Sequence, residues 1–266
     1  MGIVSRLQTW WSWLTTDPVG FIIYLLYFSA AVLLTLMLHE IAHGYVAYRC
    51  GDPTAKMMGR LTLDPRKHLD PIGTICLVLL GFGWAKPVPI NPRNFQGNKL
   101  RCDFLVSIAG IVTNLTLFIV SLFLAAVINP LLWRPEVIAA NGGAKEFLET
   151  SGVGYSILLS GAGSEYAKYM LHPWLMHVQR FLLLFSSMNV MIAVFNLLPV
   201  PPLDGFHVFN DLILKGRLAM TPQFMRGAQI VFLLLIFSGL LGTGILYVTN
   251  ALQSAMINLF VAILGG

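Results

Sequence analysis

The chain has 266 residues, 56% of them hydrophobic and only 11% charged, with a mean hydropathy of +0.74. A soluble domain carries about 25% charged residues, so the composition excludes a soluble protein and defines an integral membrane one. The net charge of +5 does not point to nucleic acid, because the basic residues sit in short loops between apolar runs, where the positive-inside rule places them.

The N-terminal stretch carries Trp10, Trp11 and Trp13, which suit the aromatic belt of a membrane interface. It does not read as a signal peptide. Its apolar run is long, lacks a small-residue cleavage site and continues into a polar cluster. Four runs are long enough to span, since a crossing takes about 20 apolar residues. They are 19–50, 104–128, 177–199 and 227–249, the last open to prolongation by the apolar tail to 264. The run 72–83, "IGTICLVLLGFG", is too short to cross and reads as a re-entrant or half-buried segment. In "MMGRLTLDP", Leu61 and Leu63 alternate with Arg60, Thr62 and Asp64, and "WAKPVPINP" (84–92) is extended by its three prolines. Together they predict a small β element at the membrane edge. The loop 129–176 is Gly-rich and weakly amphipathic and carries no assignable chemistry, and 204–214 predicts a short helix. The expected fold is an all-α polytopic membrane protein with four main spans, short half-helices and that β element.

Most of the 17 Lys and Arg fall in segments 49–71, 84–103 and 215–226. Placing all three in the cytoplasm, with 72–83 re-entrant, predicts both termini outside. The scattered Cys50, Cys76 and Cys102 show no CxxC spacing and read as small buried apolar residues rather than a disulfide framework.

The polar cluster closing the first span is His39-Glu40-Ile41-Ala42-His43, an HExxH. Residues four apart share one helix face a turn apart, which suits two imidazole ligands of one tetrahedral zinc. Glu40 follows the first histidine by about 100°, beside the fourth coordination position, where it can take a proton from water activated by the metal. A pentapeptide match alone occurs by chance, but ionisable groups in a membrane segment are costly and seldom lack a partner. Two histidines leave such a zinc one protein ligand short. Asp204 is the best third candidate. It follows an apolar span broken by Pro199, Pro201 and Pro202, which forbid a regular helix and force a turn, and it is expected to begin the next helix as an N-cap.

HEIAH on the first span with NLLPVPPLDG on a later one resembles the site-2 protease family of intramembrane zinc metalloproteases. Three further stretches resemble its compact bacterial branch: "GRLTLDPRKHLDPIGT" (59–74), "GWAKPVPINPRNF" (83–95) and "SIAGIVTNL" (107–115). In the last, the family more often has Gly-Pro where this chain has Gly110-Ile111. The resemblance covers about 39–128 and 180–212 and carries no sign of a PDZ or CBS-like domain. It implies His39, His43 and Asp204 as ligands of one Zn2+ and Glu40 as base. It implies a single protease domain over 1–266 with its catalytic core at about 19–128 and 177–214, and a transmembrane protein as substrate.

The remaining polar residues leave alternatives open. Asn114 inside an apolar span either bonds a neighbouring helix or stabilises the tetrahedral intermediate. Asn196, before the broken turn, either clamps substrate backbone or is structural. His68 is a loop hydrogen-bonding residue, a transition-state stabiliser or a fourth ligand. His207, a turn beyond Asp204, is a weaker ligand candidate, and His172 and His177 fall on the opposite side of the membrane. The rival class is a zinc transporter or sensor, which favours ligands repeated in two halves; no repeat is visible, and transport gives no reason for a Glu beside the first histidine. A non-catalytic scaffold predicts no bound zinc.

Overall fold

The computed structural model describes residues 3–73, 85–159, 165–218 and 221–264. The expected re-entrant segment at 72–83 lies almost entirely outside them, as does Cys76. Helix α1 (Ile3–Thr16) is separated from α2 (Pro18–Arg49) by Asp17, whose carboxylate accepts the Gly20 N–H at 2.9 Å while Pro18 opens the new helix. Trp10 and Trp13 pack edge-on against Phe21. A short α3 (Thr54–Met57) follows. Helix α4 (Lys99–Leu132) is longer than expected, because Asn98 accepts from Arg101 N–H and starts it five residues early. The loop 129–176 contains α5 (Pro135–Ala140), α6 (Gly143–Leu148) and α7 (Val153–Leu159). Then come α8 (Leu175–Asn196), α9 (Asp204–Leu212), α10 (Pro222–Phe237) and α11 (Leu240–Leu264).

Helices α2, α4, α8 and α11 are long and apolar enough to cross a membrane. The chain is a multi-pass membrane protein. The fourth crossing is therefore α11 rather than 227–249. Gly239 interrupts the apolar run with φ of 75°, a conformation that glycine alone adopts freely, and Ser238 N–H closes α10 on Leu234. Hydropathy is continuous through this break, which is why it does not show in the apolar pattern.

The expected β element reduces to one antiparallel bridge, Leu69 with Ala85. The period-2 stretch 60–64 forms no strand because side chains take its backbone groups. Thr62 O accepts from His68 Nε2 at 2.8 Å, Asp64 N–H bonds Thr62 Oγ1, and Asp64 in turn caps a 3₁₀ turn at Pro65–Lys67.

Chain contacts define two compact units. The first comprises Met1–Val32, Thr116–Val190 and Tyr247–Gly266. Within it the buried Gln179 amide donates to Ala125 O and Asn129 Oδ1 and accepts from Trp133 Nε1. Arg180, also buried, donates to Leu158 O and lies over the Tyr27 ring. Tyr27 Oη meets His177 Nδ1 at 3.0 Å. Such pairing keeps intramembrane polar groups satisfied.

The second unit comprises Leu33–Leu115 and Met191–Leu246 and carries every residue of the candidate centre. Its apolar cluster of Ala47, Phe95, Cys102 and Val106, with Cys50 against it, ties the end of α2 to the start of α4; Cys50 and Cys102 are free thiols in this packing. Asp52 is fully buried and accepts from Thr54 N–H, Asn91 N–H and Asn94 Nδ2 at 2.7–3.1 Å. It thereby fastens the proline-rich run 85–92 beneath α2. The other end of that run is held by Arg60 Nη2 on Lys86 O at 2.7 Å and by Lys86 N–H on His68 O at 2.8 Å.

Candidate metal centre

His39 and His43 lie on one face of α2, roughly 15 and 9 Å from its C-terminal end by the rise of 1.5 Å per residue. Both are buried, at 5% and 7% exposure. Their Nε2 atoms are 3.0 Å apart. Asp204 Oδ2 completes a triangle, 3.1 Å from His39 Nε2 and 3.3 Å from His43 Nε2. These three are the group of metal-capable side chains that converges among the described residues.

The outward ring nitrogens fix the proton positions. His43 Nδ1 is 2.7 Å from the Val106 carbonyl, which only accepts, so this nitrogen donates. His39 Nδ1 is 2.6 Å from Asn114 Oδ1. With both Nδ1 atoms protonated, both Nε2 lone pairs face the Asp204 carboxylate. The buried Asp204 Oδ2 has no hydrogen-bond donor. Three ligating atoms at contact distance, two of them Nε2 atoms of imidazoles anchored through Nδ1, are the complement of a cation. Ligands at 2.0–2.1 Å from a tetrahedral zinc are about 3.3–3.4 Å apart, so the triangle has the size and the N, N, O chemistry of a zinc ligand set.

Two glycines make the convergence possible. At Gly110 of α4 an added Cβ would lie 2.5 Å from His39 Cε1 and from His43 Nε2, so the imidazoles rest directly on this helix backbone. At Gly205 a Cβ would lie 2.5 Å from the Leu197 carbonyl group, because the turn 197–203 folds back over the first turn of α9. That fold-back delivers Asp204. Asp204 is the first helical residue and Leu203 the N-cap, without a side-chain cap bond. The expected N-cap role is absent because the carboxylate faces the imidazoles instead of its own backbone.

Glu40 is half-buried, and its Oε2 accepts the Val88 N–H at 2.7 Å. The clamps at Asp52, Arg60 and His68 therefore set where this carboxylate stands. Asn114 is fully buried behind His39. His68 is 1% exposed and donates to Thr62 O, outside the converging group. Asn196 ends α8 with its amide turned back to Ile192 O. His207 pairs with Asp103 at 3.4 Å and does not join the triangle. Sequence reading gave Gly110, Val106 and Val88 no role. Gly110 had a usable signal, four residues before Asn114 on the same face of a spanning helix; a backbone carbonyl and a backbone N–H leave none.

Two histidines and a glutamate on an apolar spanning helix, met by a carboxylate from the short helix α9, define a membrane-embedded zinc hydrolase. The sequence profile of peptidase family M50 matches residues 27–239. The chain is 37% identical to YwhC of Bacillus subtilis over 238 residues, 89% of this chain and 92% of that protein, which is provisionally named a zinc metalloprotease. It is 28% identical to Rip2 of Mycobacterium tuberculosis and 25% identical to Rip2 of Mycolicibacterium smegmatis, which carry the same provisional description. These alignments cover 88% and 85% of this chain and 75% and 73% of the relatives. No solved structure matches the chain. The chain belongs to peptidase family M50, and it is an intramembrane zinc metalloprotease of the site-2 protease type.

Proposed function

We propose that His39, His43 and Asp204 hold one zinc ion, that Glu40 is the base of the HExxH motif, and that the enzyme hydrolyses peptide bonds in or near transmembrane segments of other membrane proteins. The observation that carries this reading is the triangle of 3.0, 3.1 and 3.3 Å among the two imidazole Nε2 atoms and the Asp204 carboxylate. When bound, the ion supplies Lewis acidity, polarising a carbonyl and easing ionisation of water at neutral pH. The protein's own part is to position groups. Asn114 and the Val106 carbonyl hold both imidazoles in the ligating tautomer. Glu40, fixed by Val88 N–H through one oxygen, accepts the proton of the attacking water and passes it to the leaving amine.

A helical substrate must unwind before attack, because its carbonyls are engaged in its own hydrogen bonds. Residues 86–91 form neither helix nor strand and meet Glu40 through the Val88 N–H, which favours this run as a guide for the unwound strand. Pro87 and Pro89 have no N–H, and the N–H groups of Lys86, Val88 and Asn91 are spent within the protein. Pairing at residues 86–89 therefore uses substrate N–H donors and enzyme carbonyl acceptors.

The basic segments after α2, before α4 and between α9 and α10 support a site opening to the cytoplasm. Helix α10, at 16 residues, rises only about 24 Å, short of a hydrocarbon core of about 30 Å. Four crossings then leave both termini outside, with residues 1–266 working as a single protease domain. A reporter active only outside the cytoplasm, fused after residue 264, is expected to be active; a silent reporter overturns the orientation.

The test of function uses purified protein in lipid nanodiscs. One zinc per chain, cleavage of a transmembrane reporter, loss of cleavage with a chelator and recovery with added zinc are the expected results. Metal flux in vesicles without cleavage would instead identify a transporter. Asn114→Leu is expected to weaken zinc binding by about 10–100-fold, read by competition with a chelator, because it strands the His39 Nδ1–H in an apolar contact. Asn114→Asp keeps an acceptor there and is expected to retain the metal.

A further inference from the structure

Helix α9 carries more ionisable groups than the metal centre uses. Asp204, His207 and Asp211 stand at positions i, i+3 and i+7, one stripe of the helix. At the head of the stripe Asp204 meets the imidazoles. One turn on, His207 Nδ1 lies 3.4 Å from Asp103 Oδ2 on α4. A further turn on, Asp211 is 7% exposed and its buried Oδ2 has no hydrogen-bond donor. The ionisable groups acting on Asp211 are Asp103 from α4 and His207 of its own helix. The ones acting on His207 are Asp103, Asp211 and Asp204.

A buried carboxylate set against a like charge is costly, so these residues answer to something other than stability alone. Helix α9 is only nine residues long, and its N-cap Leu203 contributes no side-chain bond. Side chains reach about 5–6 Å from a helix axis, so a rotation of about 20° would carry a carboxylate about 2 Å, enough to break the ligand triangle. We propose that Asp103, His207 and Asp211 are positioning residues of the metal centre, which together set the rotation of α9 against α4 and so hold the Asp204 carboxylate opposite His39 and His43. This rests on Asp204 being a ligand.

The seating responds to pH in a defined direction. Burial, then the Asp103 charge, pushes Asp211 up to about 6, and the hydrogen bond to Asp103 raises His207. Below about 6 Asp211 is neutral and donates to Asp103. Above it two carboxylates oppose each other, and the contribution of the neutral form is lost. The amide of Asp211→Asn donates at every pH.

Zinc affinity in nanodiscs, measured by chelator competition at pH 5.5 and 8, tests the assignment. At pH 5.5, where Asp211 is neutral, Asp103→Ala and His207→Leu are each expected to weaken zinc binding by about tenfold. The double variant should be no weaker than the weaker single, because Asp103→Ala already removes the acceptor that His207 meets. Asp211→Asn should match wild type at pH 5.5 and bind several-fold tighter at pH 8. Additive losses in the double variant, or an affinity ratio of Asp211→Asn to wild type that does not change with pH, overturn the proposal. That ratio decides the matter even if a variant at 103 or 207 fails to fold. Asp204→Ala separates the two readings: zinc retained there refutes the ligand assignment itself, whereas zinc lost there with the other variants unaffected refutes only the positioning role.

Discussion

Glu40→Gln is expected to purify with its full complement of zinc and to cleave a transmembrane reporter about 10²–10⁴-fold more slowly, the range that general acid–base groups contribute. The substitution is nearly isosteric. The remaining amide oxygen can still accept the Val88 N–H that holds Glu40 at 2.7 Å. Neither imidazole loses a partner, because both Nδ1 atoms bond groups on α4. What disappears is a carboxylate able to take a proton. Zinc content together with turnover number checks this, and the two must separate. Cleavage at the wild-type rate would show that Glu40 is not the base. Loss of zinc would show that this glutamate matters for metal binding. The inactive, metal-loaded variant should also accumulate substrate, so comparing its membrane proteome with the wild type would nominate the proteins it cleaves.

The sequence reveals those parts of the site that depend on side-chain identity at a regular spacing. His39, Glu40 and His43 are legible because four residues make one helical turn. Asp204 is legible because three prolines force a turn just before it. The spans are legible from charge-free runs, and α2 begins and ends within a residue of its expected limits. Contributions from the backbone and from long-range approach are hidden. Val106 acts through its carbonyl and Val88 through its N–H, so neither side chain signals its part. Gly205 reads as a helix-start residue until the turn 197–203 is seen lying against it. The strand expected at 60–64 fails because Thr62 and Asp64 satisfy backbone groups locally, an outcome that alternation of apolar and polar residues does not reveal. The fourth span is misplaced because Gly239 breaks a helix without breaking hydropathy.

The glycine on α4 yields the other large effect, with the opposite signature in metal content. Gly110→Ala is expected to abolish zinc binding and cleavage while leaving the helical fold in place. A Cβ there would stand 2.5 Å from His39 Cε1 and His43 Nε2 and 2.6 Å from His39 Nδ1, against about 3.5–4.0 Å for ordinary carbon contacts. Neither ring can retreat cheaply. His39 is tied to Asn114 and His43 to the Val106 carbonyl, both on the same helix as the intruding methyl. Relief therefore requires α2 and α4 to part or the rings to turn, and either movement takes the Nε2 atoms out of the triangle with Asp204. Alanine in place of glycine favours the helix itself by up to about 1 kcal/mol, so circular dichroism should report undiminished helix in a protein that holds no metal. Gly227→Ala is the control, since a Cβ there meets nothing within 4 Å and is expected to leave zinc binding and cleavage intact. Normal zinc content and turnover in Gly110→Ala would mean that the imidazoles do not rest on α4 in the working enzyme.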